Sequence, residues 1–265
     1  MHTMTGVAAT LPLQLPTTPL QVPQPFAGSF DTAITEGIAD AAIFAGEHRP
    51  SERWAVPGWA LLKMKWPPKG KEEQEELAFL RQVATQRTAD QNETAKFYSD
   101  HGITDAWEVY LAEYVKTVGP RQARAATKLL HDAMNMVNEI TQTAKAAAGR
   151  KRPFVVDPTM PLLLEKPGES PSYPSGHTSA AVAAAMVLGY LMPGRRDEFA
   201  SIARQASWAR IYGGVHFPSD VVAGAKLAAT VTSYLCQVSG VEQAGMADAR
   251  AAKASAVRRR KRVAA

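Results

Sequence analysis

Between Arg121 and Ala148 the apolar residues Ala126, Leu129, Leu130, Ala133, Val137, Ile140 and Ala144 recur in steps of three, four and seven, which an α-helix gathers onto one face. A stripe that long suits the central helix of a bundle and needs other helices to cover it. The rest of the chain supplies them. Ile34, Ile38, Ala41 and Ala42 start a helical pattern near Phe30, and Leu77, Leu80, Val83 and Ala84 form a stripe over Glu72 to Arg87 with acids in its first turn. Thr88 with Gln91 reads as a capping box, and Thr104 caps a helix carrying Trp107, Tyr110, Leu111, Tyr114, Val115 and Val118 until Gly119-Pro120 stops it. Further helices are predicted over Thr178 to Met192, Arg196 to Tyr212 and Asp220 to about Gln237. The stretch through Trp54, Trp59 and Trp66 to Pro67-Pro68 is expected to be an irregular packed connector. No segment alternates with period two and no repeat is present, so the fold class is all-α, a compact helical bundle in one domain.

Residues 1–29 space Pro12, Pro16, Pro19, Pro23 and Pro25 through a polar segment, which favours an extended arm; residues 30–245 form the domain, and 246–265 a basic, alanine-rich tail. The formal charge is +5, yet Arg250, Lys253, Arg258, Arg259, Arg260, Lys261 and Arg262 put seven cations and no acid in residues 249–265, leaving −2 for residues 1–248. A nucleic-acid partner is therefore not expected, whereas peripheral contact of the tail with an anionic membrane is open. The single cysteine, Cys236, excludes an intramolecular disulfide and a Cys-rich zinc site, and reads as a small buried hydrophobe. No run reaches about 18 consecutive apolar residues, so no transmembrane segment is expected. No export signal is visible, which makes the cytoplasm the default compartment, or the periplasm or exterior if the true start differs. Nothing in the pattern specifies an oligomeric state.

Polar residues without an obvious surface role gather in three places. Lys145 and Arg152-Pro153 are two helical turns apart, although Gly149 and Pro153 loosen the helix there; alone they read better as a solvated basic face. Pro174-Ser175-Gly176-His177 precedes an apolar helix, where unpaired N–H groups and the helix dipole favour an anion; a plain Ser/Gly cap is the alternative. Arg210 is followed by a Gly213-Gly214 turn, His216, Pro218 and Asp220. A carboxylate four residues past the imidazole can fix its tautomer and leave the other ring nitrogen free, as a nucleophile or base requires; Asp220 as a simple helix cap is the alternative. His2, His48, His101 and His131 show no paired spacing and are expected to be structural or exposed.

Together, Lys145, six residues, Arg152-Pro153, then Pro174 to His177, then Arg210, five residues, His216, three residues, Asp220 resemble the three-part signature of the type 2 phosphatidic acid phosphatase and vanadium haloperoxidase superfamily. Tyr173-Pro-Ser-Gly-His-Thr178, Arg152-Pro-Phe154 and Pro193 with Arg196-Asp-Glu198 look most like the soluble bacterial class A acid phosphatases. The chain departs from that pattern in Ala209, where serine usually precedes the arginine, and in the extra charge of Arg150-Lys151.

The resemblance implies an acid phosphatase/haloperoxidase-type bundle and a metal-independent phosphomonoester hydrolase. Lys145, Arg152, Ser175, Gly176 and Arg210 would hold the phosphate, His216 would form a phosphohistidine with Asp220 orienting it, and His177 would protonate the leaving alcohol. Activity is then expected to peak on the acid side of neutrality, with His216 unprotonated and His177 protonated. No cofactor is implied for that reading. The alternative within the superfamily is a vanadium-dependent haloperoxidase, with vanadate in the same cradle; a non-catalytic phosphate-binding or membrane-surface protein is a second alternative. The substrate would be a phosphate ester, with lipid, nucleotide and sugar phosphates all open.

Overall fold

The computed structural model describes residues 13–239 of the 265-residue chain. Its α-helices are α1 (Phe26–Glu47), α2 (Val56–Leu62), α3 (Lys71–Gln86), α4 (Ala89–His101), α5 (Asp105–Val118), α6 (Pro120–Ala148), α7 (Pro153–Val156), α8 (Gly176–Leu191), α9 (Arg196–Tyr212) and α10 (Pro218–Val238). Short 3-10 turns cover Pro50–Ala55 and Pro193–Arg195, and no strand occurs among the described residues. The all-α expectation holds. Prolines at or next to the first position of α2, α6, α7 and α10 begin helices without wasting an N–H, so α10 opens at Pro218 rather than at Asp220.

The bundle is centred on α8 and α10, not on α6. α10 packs against α1, α8 and α6, and α8 also packs against α9. Apart from His177 in α8 and Asp220 and Lys226 in α10, both are mostly apolar or small, which is the composition of a helix with neighbours on most sides. The α6 stripe is buried as expected at all seven positions, but the other face of that helix meets solvent. α10 is also long and apolar enough to cross a membrane by length and composition, and most of it is buried inside the protein.

Other expectations shift. The buried face of α1 is Phe30, Ala33, Gly37, Ala41 and Phe44, so Ile38 is 43% exposed and the stripe through Ile38 and Ala42 is corrected. Small residues carry that face because α1 lies close against α10. The Trp-rich connector contains the regular helix α2, and Trp54 and Trp66 are exposed rather than packed. The Thr88–Gln91 capping box forms, whereas Thr104 precedes α5 without a side-chain cap. Of the arm, residues 13–25 lie along the bundle: Leu20 and Val22 are buried, and the Leu20 N–H donates to Gln205 Oε1 at 2.7 Å. Residues 1–12 and the basic tail lie outside the described residues.

Candidate active site

Lys145 sits in the last turn of α6, which ends where Gly149 takes a left-handed conformation (φ 55°). Lys145 and Arg152 therefore do not share a continuous helical face; the chain folds back and brings them together around residues 170–172. Lys145 Nζ donates to the carbonyls of Pro171 and Ser172, and Arg152 donates from Nε to the Ser170 carbonyl (2.8 Å) and from Nη1 to the Val215 carbonyl (2.8 Å). Arg210, near the end of α9, donates from Nη1 to Ser99 Oγ at 2.8 Å, while its Nε is buried with no partner.

These three cations are 4%, 5% and 3% exposed, and none is in ion-pair contact with a carboxylate among the described residues. Such an arrangement is costly. Burial, then repulsion from Arg152, pulls Lys145 down to about 8. Burial lowers Arg152 to about 10, and burial with repulsion from Arg152 lowers Arg210 to about 9. A bound oxyanion would offset that repulsion, and the partnerless Arg210 Nε is a donor ready for one.

Ser175 caps α8: its Oγ accepts from the Thr178 N–H (3.4 Å) and hydroxyl (3.0 Å), and its own N–H donates to the Asp220 carbonyl at 2.9 Å. The capping alternative is thus real, and the same bonds tie the cradle to the first turn of α10. Gly224 permits this proximity, since a Cβ there would lie 2.6 Å from the Ser175 carbonyl oxygen. At Gly176 a Cβ would meet only Thr141 Cγ2 at 3.7 Å, so no protein neighbour demands glycine there.

His216 is buried, with both ring nitrogens engaged. Nδ1 lies 3.2 Å from Asp220 Oδ2, and Nε2 lies 3.1 Å from Arg152 Nη1. Arginine can only donate, so Nε2 accepts and the imidazole is the neutral Nδ1–H tautomer. Asp220 Oδ2 also accepts from the Phe217 N–H (2.8 Å) and the Ser172 hydroxyl, and Oδ1 from Arg150 Nη1 at 2.7 Å. His177 is half-buried at the start of α8, with a hydrogen bond to the Ser99 backbone. Burial pushes His216 down to about 3, and burial with Arg210 and His216 pushes His177 down to about 2. Without a bound anion both imidazoles are thus held toward the neutral form.

Sequence reasoning missed Ser99, Ser172, Ser219 and the roles of Arg150 and Glu76. Arg150 is not surplus charge. It is 6% exposed, pairs with Asp220 and with Glu76 (2.9 Å), and its guanidinium lies over the Phe217 ring at 3.8 Å. Glu76 stands one turn before Leu80 on the buried stripe of α3, and an acid on an apolar face was the available signal. Ser99 gave none. Conversely, His101 does have a partner, Asp105 Oδ2 at 2.7 Å, in an exposed pair between α4 and α5.

Residues 126–242 match the PAP2 superfamily. The match takes in every member of the signature: Lys145, Arg152, Ser175, Gly176, His177, Arg210, His216 and Asp220. That segment belongs to the PAP2 superfamily. Among curated proteins it is similar to an acid phosphatase of Zymomonas mobilis subsp. mobilis, 39% identical over 85 residues (31% of this chain, 32% of that protein). A non-specific acid phosphatase of Salmonella typhi is 32% identical over 114 residues (40% of this chain, 44% of that protein). The matches thus cover about a third of the first relative and under half of the second. A bacterial vanadium-dependent iodoperoxidase shares the fold, with TM-score 0.58 and 19% identity over 68% of this chain and 53% of that one.

Proposed function

We propose that this PAP2 protein is a phosphoric monoester hydrolase of the acid phosphatase kind, working without a metal through a phosphohistidine at His216. The observation that carries the reading is the set of three buried cations without carboxylate partners, gathered about an imidazole whose Nε2 lone pair one of them holds. Lys145, Arg152 and Arg210 take the non-bridging oxygens, and the Ser175 hydroxyl and Gly176 N–H add donors at the positive end of α8. Arg152 must release Nε2 as it takes up a phosphate oxygen. The free lone pair then attacks phosphorus in line as the bond to the leaving oxygen breaks, and Asp220 stabilises the resulting ring charge. The phosphate dianion counters the burial and the cation repulsion that hold His177 neutral, so His177 carries the proton that the leaving alcohol takes. Water, deprotonated by His177, then attacks the phosphohistidine and restores the imidazole.

The test is turnover of p-nitrophenyl phosphate by the full chain in EDTA, with a denaturing quench at alkaline pH after exposure to a radiolabelled ester and the trapped label then challenged with acid. Acid-labile label that vanishes in His216→Ala is expected; acid-stable label, or label that survives that substitution, overturns the assignment. The fold shared with the iodoperoxidase favours a second reading. Lys145, Arg152, Arg210, Ser175 and Gly176 have the charge and donors to hold vanadate, with His216 Nε2 as its ligand, and vanadate so held would activate peroxide for halide oxidation. Iodide oxidation with vanadate and peroxide, in a protein inert toward phosphate esters, decides for it.

A further inference from the structure

We propose that Glu76 is a positioning residue for the His216–Asp220 pair, acting through the Arg150 guanidinium and the first turn of α10. The inference rests on His216 being the phosphoryl acceptor, and it concerns a residue of α3, outside the segment matched to the PAP2 superfamily. Three donors converge on the two oxygens of Glu76. Arg150 Nη2 reaches Oε2 at 2.9 Å, the Ser219 hydroxyl reaches Oε2 at 2.8 Å, and the Ser219 N–H reaches Oε1 at 2.6 Å. Each adjoins Asp220. Ser219 precedes it in the chain, and Arg150 Nη1 donates both to Ser219 Oγ and to Asp220 Oδ1, at 2.7 Å each. Glu76 is 6% exposed, and Glu73 adds a 3.3 Å contact to Arg150 from the rim.

Two consequences follow. Held by Glu76 on one edge and stacked on Phe217, the guanidinium offers Asp220 a single nitrogen at Oδ1, which keeps it off Oδ2, where the His216 Nδ1–H, the Phe217 N–H and the Ser172 hydroxyl converge. Freed from Glu76, its fork could chelate both carboxylate oxygens and compete with the imidazole. Glu76 also balances part of the Arg150 charge, so Asp220 keeps more of its field for an imidazolium. The groups facing the pair are Arg150, Arg152 and Lys145 from α6 and the segment after it, Arg210 from α9 and His177 from α8. Glu73 and Glu76 from α3 and the Tyr173 hydroxyl complete the set. Cations outnumber acids there, so loss of the Glu76 charge makes His216 harder to protonate.

The decisive variant is Glu76→Gln in the full chain, read by kcat and KM against pH and by the ring 15N signals of His216 without substrate. The expected result is a kcat lower by roughly 10–100-fold with KM within about threefold, the range seen when partners of site ligands are removed. The acid limb of kcat/KM and the His216 titration both move to lower pH, by about one unit. Glu76→Asp, which keeps the charge, recovers most of the limb, and Glu72→Gln on the exposed side of α3 matches wild type. A folded Glu76→Gln protein with unmoved limb and unmoved His216 signals overturns the proposal, as does Glu76→Asp behaving like Glu76→Gln. Should Glu76→Gln fail to fold, Ser219→Ala removes one hydroxyl and no charge, and an unmoved His216 signal there also overturns it. If wild type hydrolyses no ester, the phosphatase reading fails, and the NMR titration still decides whether Glu76 positions the pair.

Discussion

Replacing Arg210 by methionine is expected to stabilise the ligand-free protein while disabling it. Arg210 is 3% exposed, donates to one neutral hydroxyl, and leaves Nε without a partner. Burial, reinforced by Arg152, lowers it from 12.5 to about 9. At about 1.4 kcal/mol per unit, that depression corresponds to roughly 4–5 kcal/mol of unfavourable burial at neutral pH. Methionine fills similar volume without charge, at a cost of about 1–2 kcal/mol for the stranded Ser99 hydroxyl and altered packing. A net gain of about 2–4 kcal/mol remains, which raises Tm by roughly 5–10 °C in a chain of this size.

Phosphate should invert that ranking. In wild type a bound dianion relieves the repulsion among Lys145, Arg152 and Arg210, so saturating phosphate raises Tm; in Arg210→Met most of that rise is lost, and kcat falls by roughly 10²–10³, as for removal of one oxyanion donor. Scanning calorimetry with and without phosphate, paired with p-nitrophenyl phosphate turnover, reads both quantities. A variant that melts below wild type without phosphate and keeps the full phosphate-induced rise would refute the idea of a strained, anion-seeking cluster.

The same cluster governs acid stability. His177 and His216 have folded pKa values below the ordinary 6.5, so the stability they contribute is complete above pH 6.5 and lost as pH falls toward about 3. Tm is expected to fall steadily from pH 6.5 to 4.5, less so in His216→Ala, and a flat profile there would contradict neutral buried imidazoles. Gly224→Ala places a methyl 2.6 Å from the Ser175 carbonyl oxygen; it is expected to lower stability by about 1–3 kcal/mol and to cut turnover by pushing α10 from the cradle, both absent if the helices merely slide. His101→Ala removes an exposed pair with Asp105 and a ring contact with Phe97, and is expected to leave kcat/KM within about twofold and to lower stability by no more than about 1 kcal/mol.

What the sequence made legible was local. The α6 stripe could be placed residue by residue because helical period and burial coincide along it, and His216 with Asp220 could be paired because only three residues separate them. α1 was harder: its buried side is built from Ala33, Gly37 and Ala41, while the conspicuous Ile38 points outward. Residue size there reports how closely two helices approach rather than which face is covered. Partners from distant helices left even less trace. Glu76 and Ser219 are 143 residues apart, and a contact that long has no periodic signature in one chain. Only the placing of an acid on an apolar face hinted that α3 meets a buried cation.

The division of labour within the site follows from electrostatics. Lys145, Arg152, Arg210 and His216 all come from the PAP2 segment, yet a cradle made of them alone would be four positive or protonatable groups without a fixed geometry. The N-terminal helices supply what that set lacks. Ser99 at the end of α4 anchors one edge of Arg210, and Glu76 on α3 anchors Arg150, which is not one of the three cations without a carboxylate. Neutral or distant acceptors are what such a place requires: a carboxylate set directly on Arg152 or Arg210 would stabilise the folded protein and compete with the substrate for the same donors. The cations are therefore held by carbonyls and a hydroxyl, and the acids are confined behind Arg150 and His216, where they set the orientation of the imidazole rather than the occupancy of the site.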